Sequence, residues 1–171
     1  MQIGEKMVLG KAKGNKMERD TAKALSIWMF NDEHTLKREP TSGMVKNTYC
    51  GDIFVMKQID WLNFPFLIET KTGYEHHTPT LWQYNKVLEW FNKATVEGKI
   101  HNQYIILLIC QFKNKPPLMF TNYQIDINQI IPLSIIPNRL HGGIEWINVY
   151  AFKELLKLNF YDIFGKEIKY R

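Results

Sequence analysis

Tyr49-Cys50-Gly51-Asp52-Ile53-Phe54-Val55-Met56 and Phe64-Pro65-Phe66-Leu67-Ile68-Glu69-Thr70-Lys71 are the two stretches on which the fold turns. Both are rich in β-branched and aromatic residues, and they lie close together, so they read as antiparallel neighbours joined by a loose hairpin. Upstream, Glu18, Ala22, Leu25 and Met29 fall on one helical stripe bordered by Trp28. Asn15 with Glu18 three positions on has the form of a capping box, which predicts a helix from about residue 15 to Asn31 behind a loose basic arm. Downstream, Thr78-Pro79 predicts a second helix start, and Leu81, Tyr84, Leu88, Phe91 and Thr95 share its face up to Gly98. Residues 103–112, with Ile105 to Ile109 unbroken, predict a strand covered on both sides. Residues 113–117 turn it, residues 118–121 return as a short strand, and a last helix is expected over about residues 149–158. The order implies an α/β (α+β) fold with a mixed sheet flanked by helices. Residues 122–150 give no clear pattern.

Composition sets the frame. The chain has 171 residues, 45% hydrophobic and 13% aromatic, with 23% charged residues and a net charge of +5. That is ample material for a single folded domain, with a core at about 15–121 between an arm at about 1–14 and an extension at about 122–171. The modest basic balance is compatible with nucleic acid as a partner. No apolar run approaches the roughly 20 residues of a membrane span, and no secretory signal is visible, so a cytoplasmic location without membrane contact is expected. Cys50 and Cys110 are too few for a disulfide framework and lack metal-ligand spacing, so both read as reduced thiols.

The chemistry concentrates at Asp52 and, after sixteen intervening residues, Glu69-Thr70-Lys71. Strand alternation puts Glu69 and Lys71 on one face, and a hairpin brings Asp52 to Glu69. Two converging carboxylates raise one another's pKa unless a cation sits between them. Mg²⁺, with Mn²⁺ as a substitute, suits oxygen ligands of this kind, and the Thr70 backbone carbonyl is a further candidate ligand. Lys71 is placed to support an attacking water or to stabilise charge on a phosphate, a combination suited to phosphodiester hydrolysis. The bland alternatives are a cap for Glu18, a turn for Asp52 and a solvated strand face for Glu69 and Lys71. His76 and His77 read as loop residues, since adjacent side chains point apart.

Asp52, the hairpin-length gap and Glu69-Thr70-Lys71 together resemble the catalytic signature of the PD-(D/E)XK nuclease superfamily, although Gly51 stands where many members have Pro. Over residues 15–112 the resemblance implies a restriction-endonuclease-like core: helix, three-stranded antiparallel meander, helix and strand, in a sheet of about four to five strands. It implies that Glu18 is the additional acidic residue on the first helix, reaching the metal directly or through water. Arg38-Glu39-Pro40-Thr41-Ser42-Gly43 resembles the Arg/Ser-Gly loop of archaeal Holliday junction resolvases and their phage relatives, which assigns phosphate positioning to Arg38 and Ser42. Gln83 lies where nucleases of the RecB and lambda-exonuclease type carry a Gln, but no Tyr follows at the RecB spacing: position 87 is Val87.

The resemblance implies a Mg²⁺-dependent DNA endonuclease selective for Holliday junctions or other branched DNA, acting as a homodimer. Its rivals are a nuclease of the RecB, lambda-exonuclease or restriction type on linear DNA, a non-catalytic DNA-binding module on the same fold, and a nuclease acting on RNA.

Overall fold

Helix α1 occupies Ile3–Phe30 in the computed structural model, which describes residues 3–39, 51–56, 64–73, 81–125, 130–140 and 143–165. The expected loose arm is helical from Ile3: Lys, Ala, Met and Leu are good helix formers, and the basic stretch continues the helix upstream rather than preceding it. Asn15 is therefore interior to α1 and not its cap. The helix ends as expected, with Asn31 left-handed at φ 52° and its N–H donating to the Ile27 carbonyl. Ala22, Leu25 and Met29 are buried, as their stripe predicted.

Strands β1 (Leu36–Arg38), β2 (Ile53–Val55) and β3 (Phe66–Thr72) form the antiparallel meander, with Leu36 opposite Val55 and Ile53 opposite Ile68. Helix α2 (Leu81–Ile100) then crosses over to β4 (Ile105–Gln111), which runs parallel to β3. Thr78 and Pro79 lie outside the described residues. Helix α2 does not stop at Gly98. There the Gly98 carbonyl accepts the N–H groups of His101 and Gln103, and a Cβ on it would lie 2.2 Å from the Gln103 carbonyl oxygen. This glycine serves close approach of the following turn rather than helix termination.

After β4 the chain turns at left-handed Asn114 into β5 (Leu118–Thr121), antiparallel to β4. Residues that gave no sequence pattern build a hairpin of β6 (Ser134–Leu140) and β7 (Gly143–Ala151), with β7 paired to β5. The last helix expected over 149–158 is replaced by the end of β7 and two short helices, α3 (Phe152–Leu155) and α4 (Phe160–Phe164). Backbone pairing of Val149 with Phe120 and Ser134 takes the first part of that span into the sheet. Asn159 then caps α4 by accepting the Tyr161 N–H.

Among the described residues the sheet has seven strands in the order β1-β2-β3-β4-β5-β7-β6, two or three more than expected. Its faces divide the core. Ala22, Leu25 and Met29 of α1 pack with Phe66, Ile68, Leu107, Phe160 and Phe164 on one side. Val87, Phe91 and Ala94 of α2 pack with Leu67, Ile106, Leu108 and Phe120 on the other. The alternation along β3 and β4 follows from the two-residue period of a strand buried on both faces. Trp28 meets Phe160 edge-on, with ring centroids 5.2 Å apart, and donates its indole N–H to the Leu158 carbonyl, fastening the C-terminal helices to α1. Cys110 is a free thiol and fully buried, while Cys50 lies outside the described residues. Among the described residues no helix is long and apolar enough to cross a membrane.

Candidate active site

Gly51 makes the site possible. It adopts φ +80°, and a Cβ there would lie 2.6 Å from the Ile68 carbonyl oxygen. Only glycine lets the start of β2 press this closely on β3. Asp52 is then gripped by its backbone, its N–H donating to the Ile68 carbonyl and its carbonyl accepting from the Glu39 N–H, both at 2.9 Å. Its side chain is fixed too: Oδ2 accepts the Thr70 N–H at 2.8 Å and the Thr70 hydroxyl at 3.3 Å.

Asp52 stands one step beyond the Ile53–Ile68 pair, so it opposes Glu69 on the same face. Lys71, two residues on, shares that face. Its Nζ lies 2.6 Å from Glu69 Oε2 and 3.7 Å from Asp52 Oδ2. The three side chains keep 15%, 17% and 26% of their surface for Asp52, Glu69 and Lys71 respectively, so the cluster is sheltered yet open to a ligand. Glu69 follows Ile68 of the α1-side core and so faces α2 together with Leu67.

Burial, and then the Asp52 carboxylate beside it, push the Glu69 carboxyl up to about 7, against the opposing pull of Lys71. For Lys71, burial alone would lower the ammonium pKa, but Glu69 and Asp52 outweigh it and push it up to about 12. Lys71 is therefore a cation at neutral pH. Behind it, in register on β4, burial holds the Cys110 thiol well above its usual range, so it is neutral and no nucleophile.

This donor set fits a hard divalent cation. Burial first and the adjacent Asp52 carboxylate second make the charged form of Glu69 costly, and a cation between the two carboxylates would relieve it. Asp52 and Glu69 can hold such an ion, with the Thr70 carbonyl in the same backbone segment. Among the described residues no third His, Cys, Asp or Glu joins them in a metal-binding group.

Glu18 is elsewhere. It projects from α1 to accept the Arg38 Nε–H, while Asn15 Oδ1 accepts Arg38 Nη2–H at 2.9 Å. Arg38 pairs in register with Ile53, whose side chain belongs to the α1-side core, so this ion pair lies on the opposite face of the sheet from Glu69 and Lys71. Ser42, His76 and His77 lie outside the described residues. Gln83 lies in the first turn of α2, and its side chain is outside the described set.

Two features escaped the sequence reading. The Glu18–Arg38–Asn15 network was signalled only by Asn15 and Glu18 lying three apart, hence on one face of a helix. The turn after β4 exposes Lys113 and Lys115 just beyond the Thr72–Gln111 pair, at the Lys71 end of the sheet. That placement follows once β3 and β4 are known to be parallel.

Residues 10–160 match a family model described as "Phage putative PDDEXK endonuclease". The chain belongs to this family. Membership of the PD-(D/E)XK superfamily agrees with the αβββαβ order from α1 to β4 and makes the protein a nuclease of the hydrolase class. Neither the curated proteins nor the solved structures yields a match. In this PD-(D/E)XK nuclease the acidic pair and the lysine converge on the α2 side, at the C-terminal end of β3.

Proposed function

We propose that this nuclease is a metal-dependent DNA endonuclease that hydrolyses phosphodiester bonds, with Holliday junctions or related branched DNA as substrate and a homodimer as the acting form. The observation that carries the hydrolytic part is the convergence of Asp52 and Glu69 with Lys71. The preference for branched DNA rests on the resemblance of residues 38–43 to the resolvase loop. The setting that fits a phage family is the cytoplasm of the infected cell.

Asp52 and Glu69 hold Mg²⁺, or Mn²⁺ in its place, with the Thr70 carbonyl. When bound, the ion supplies Lewis-acid polarisation of the phosphate and a more acidic water. Asp52 is oriented by the Thr70 N–H, so its position is set before substrate arrives. Lys71, held as an ammonium, opposes the negative charge that grows on the phosphate oxygens and does not itself take a proton. Ser42 and Gln83 position the phosphate backbone, while Glu18 and Asn15 hold Arg38 on the other face, where it fastens β1 to α1. Lys113 and Lys115 extend that track along the strand ends.

The test is cleavage of a labelled four-way junction beside linear duplex, single strand, RNA and closed circle, with Mg²⁺ and with EDTA, for wild type and Lys71→Ala. Paired nicks on the junction alone, absent in EDTA and in Lys71→Ala, support the full reading. Degradation only from linear ends keeps the site and overturns branch selectivity. Binding without cleavage of any substrate overturns catalysis and leaves a DNA-binding module.

A further inference from the structure

A second cleft lies at the end of the sheet away from Lys71. Because β3 and β4 are parallel, Ile105 is level with Phe66 while Gln111 is level with Thr72, so Tyr104 and Lys71 are separated by a strand length of roughly 20 Å. The cleft holds about 450 Å³ and is lined by Lys99 of α2, Gln103 and Tyr104 ahead of β4, Asn122 and Gln124 after β5, and Trp146 of β7. That volume falls within the roughly 300–1,000 Å³ of small-molecule sites.

Its walls are built rather than incidental. Asn122 Oδ1 accepts the Ile106 N–H at 3.0 Å while its Nδ2 donates to the Tyr104 carbonyl at 2.8 Å, clamping the Tyr104 lip from both sides. Gly98 permits the tight passage from α2 to Gln103. Thr95 is engaged within its helix, its hydroxyl donating to the Phe91 carbonyl.

The groups that remain have a common chemistry. Tyr104 and Trp146 are 60% and 55% exposed, two aromatic residues on one cleft. Among the described residues the buried Gln103 Oε1 has no hydrogen-bond partner, so the amide loses nothing by turning toward a ligand N–H in the cleft that its residue lines. Gln124 adds a second amide and Lys99 a cation. Aromatic faces stack planar bases, side-chain amides pair with base edges, and an ammonium takes a phosphate.

We propose that this cleft binds a nucleotide: its base against Trp146 and Tyr104, its edge to the Gln103 amide, its phosphate to Lys99. The nucleotide is either free or an unpaired residue of a nucleic-acid strand. The inference does not rest on the nuclease reading, because the cleft shares no residue with the acidic site.

The experiment uses the full chain in EDTA, with deoxyadenosine monophosphate as one probe and a fluorescein-labelled single strand of a dozen nucleotides as the other. Binding is followed by calorimetry and by anisotropy. Trp146→Ala and Lys99→Ala should each weaken binding at least tenfold, and Trp146→Phe should restore most of it. Saturable binding of the mononucleotide identifies a free ligand. Binding of the strand alone, with the same dependence on Trp146 and Lys99, identifies an unpaired base within a strand. Failure of both probes to bind, or binding unchanged in Lys99→Ala and in a Trp146→Ala protein of native circular dichroism, overturns the proposal. Loss of cleavage in Lys71→Ala with nucleotide binding intact separates this site from the first.

Discussion

Two charged groups sit on opposite faces of the same end of the sheet, and they are built differently. On the α1 face, Glu18 meets Arg38, with Asn15 accepting a second guanidinium N–H. One negative charge answers one positive charge, and the arrangement is complete. On the α2 face, two carboxylates share one ammonium, and Glu69 is pushed up to about 7 by burial and by Asp52. The first group is balanced and fastens β1 to α1. Among the described residues the second is left short of positive charge in a sheltered place, a condition that a metal ion relieves. Of the four acidic and basic residues that the sequence reading assigned to catalysis, three are in the unbalanced group and the fourth, Glu18, is in the balanced one.

The largest expected effect breaks the unbalanced group. Lys71→Ala and Asp52→Asn should each lower cleavage by about a thousandfold or more while circular dichroism stays native, since the charge that opposes the phosphate or the ligand that holds the ion is gone. The same Asp52→Asn change should leave stability in EDTA equal or slightly higher, because it removes a repulsion. Arg38→Ala should do the reverse. It strands Glu18, a largely buried carboxylate, and should cost about 1–3 kcal/mol in chemical denaturation.

A pH series sharpens the contrast. The folded Glu69 pKa of about 7 lies above the 4.5 of the free side chain. Its favourable contribution is thus complete below about 4.5 and is lost as pH rises through about 7. In EDTA, the melting temperature of wild type relative to Glu69→Gln should fall between pH 5 and pH 8. Added Mn²⁺ should restore stability at pH 8 and far less at pH 5, because the ligand must be ionised. The smallest effect belongs to the turn after β4. Replacing Lys113 and Lys115 together by Ala should reduce the slope of log binding against log salt by about one to two, with little change in the rate at saturating DNA.

The acidic site was legible because two local rules suffice for it. Strand period places Glu69 with Lys71, and a hairpin between neighbouring strands brings Asp52 opposite. The stripe of Ala22, Leu25 and Met29 and the unbroken run of β4 were legible for similar reasons, since each buries the face its spacing marks. The β6–β7 hairpin was not. Ile136 and Ile147 point into the core, but Ile135 and Trp146 on the other face are apolar and exposed, so there is no contrast between faces to read. Val149, Phe152, Leu155 and Leu156 are spaced like a helical stripe, and partner strands β5 and β6 override that spacing at Val149. Asn15 and Glu18 could be placed on one helix face, but their partner Arg38 could not, because that pairing depends on the packing of α1 against β1, a long-range fact that no window of sequence contains.

Calorimetric titration of Mn²⁺ into wild type, Asp52→Asn and Glu18→Gln at pH 8 tests the account most directly. The expected result is an ion bound by wild type, lost in Asp52→Asn and retained within a fewfold affinity in Glu18→Gln. Binding that survives Asp52→Asn, or that vanishes in Glu18→Gln with the fold intact, would contradict it.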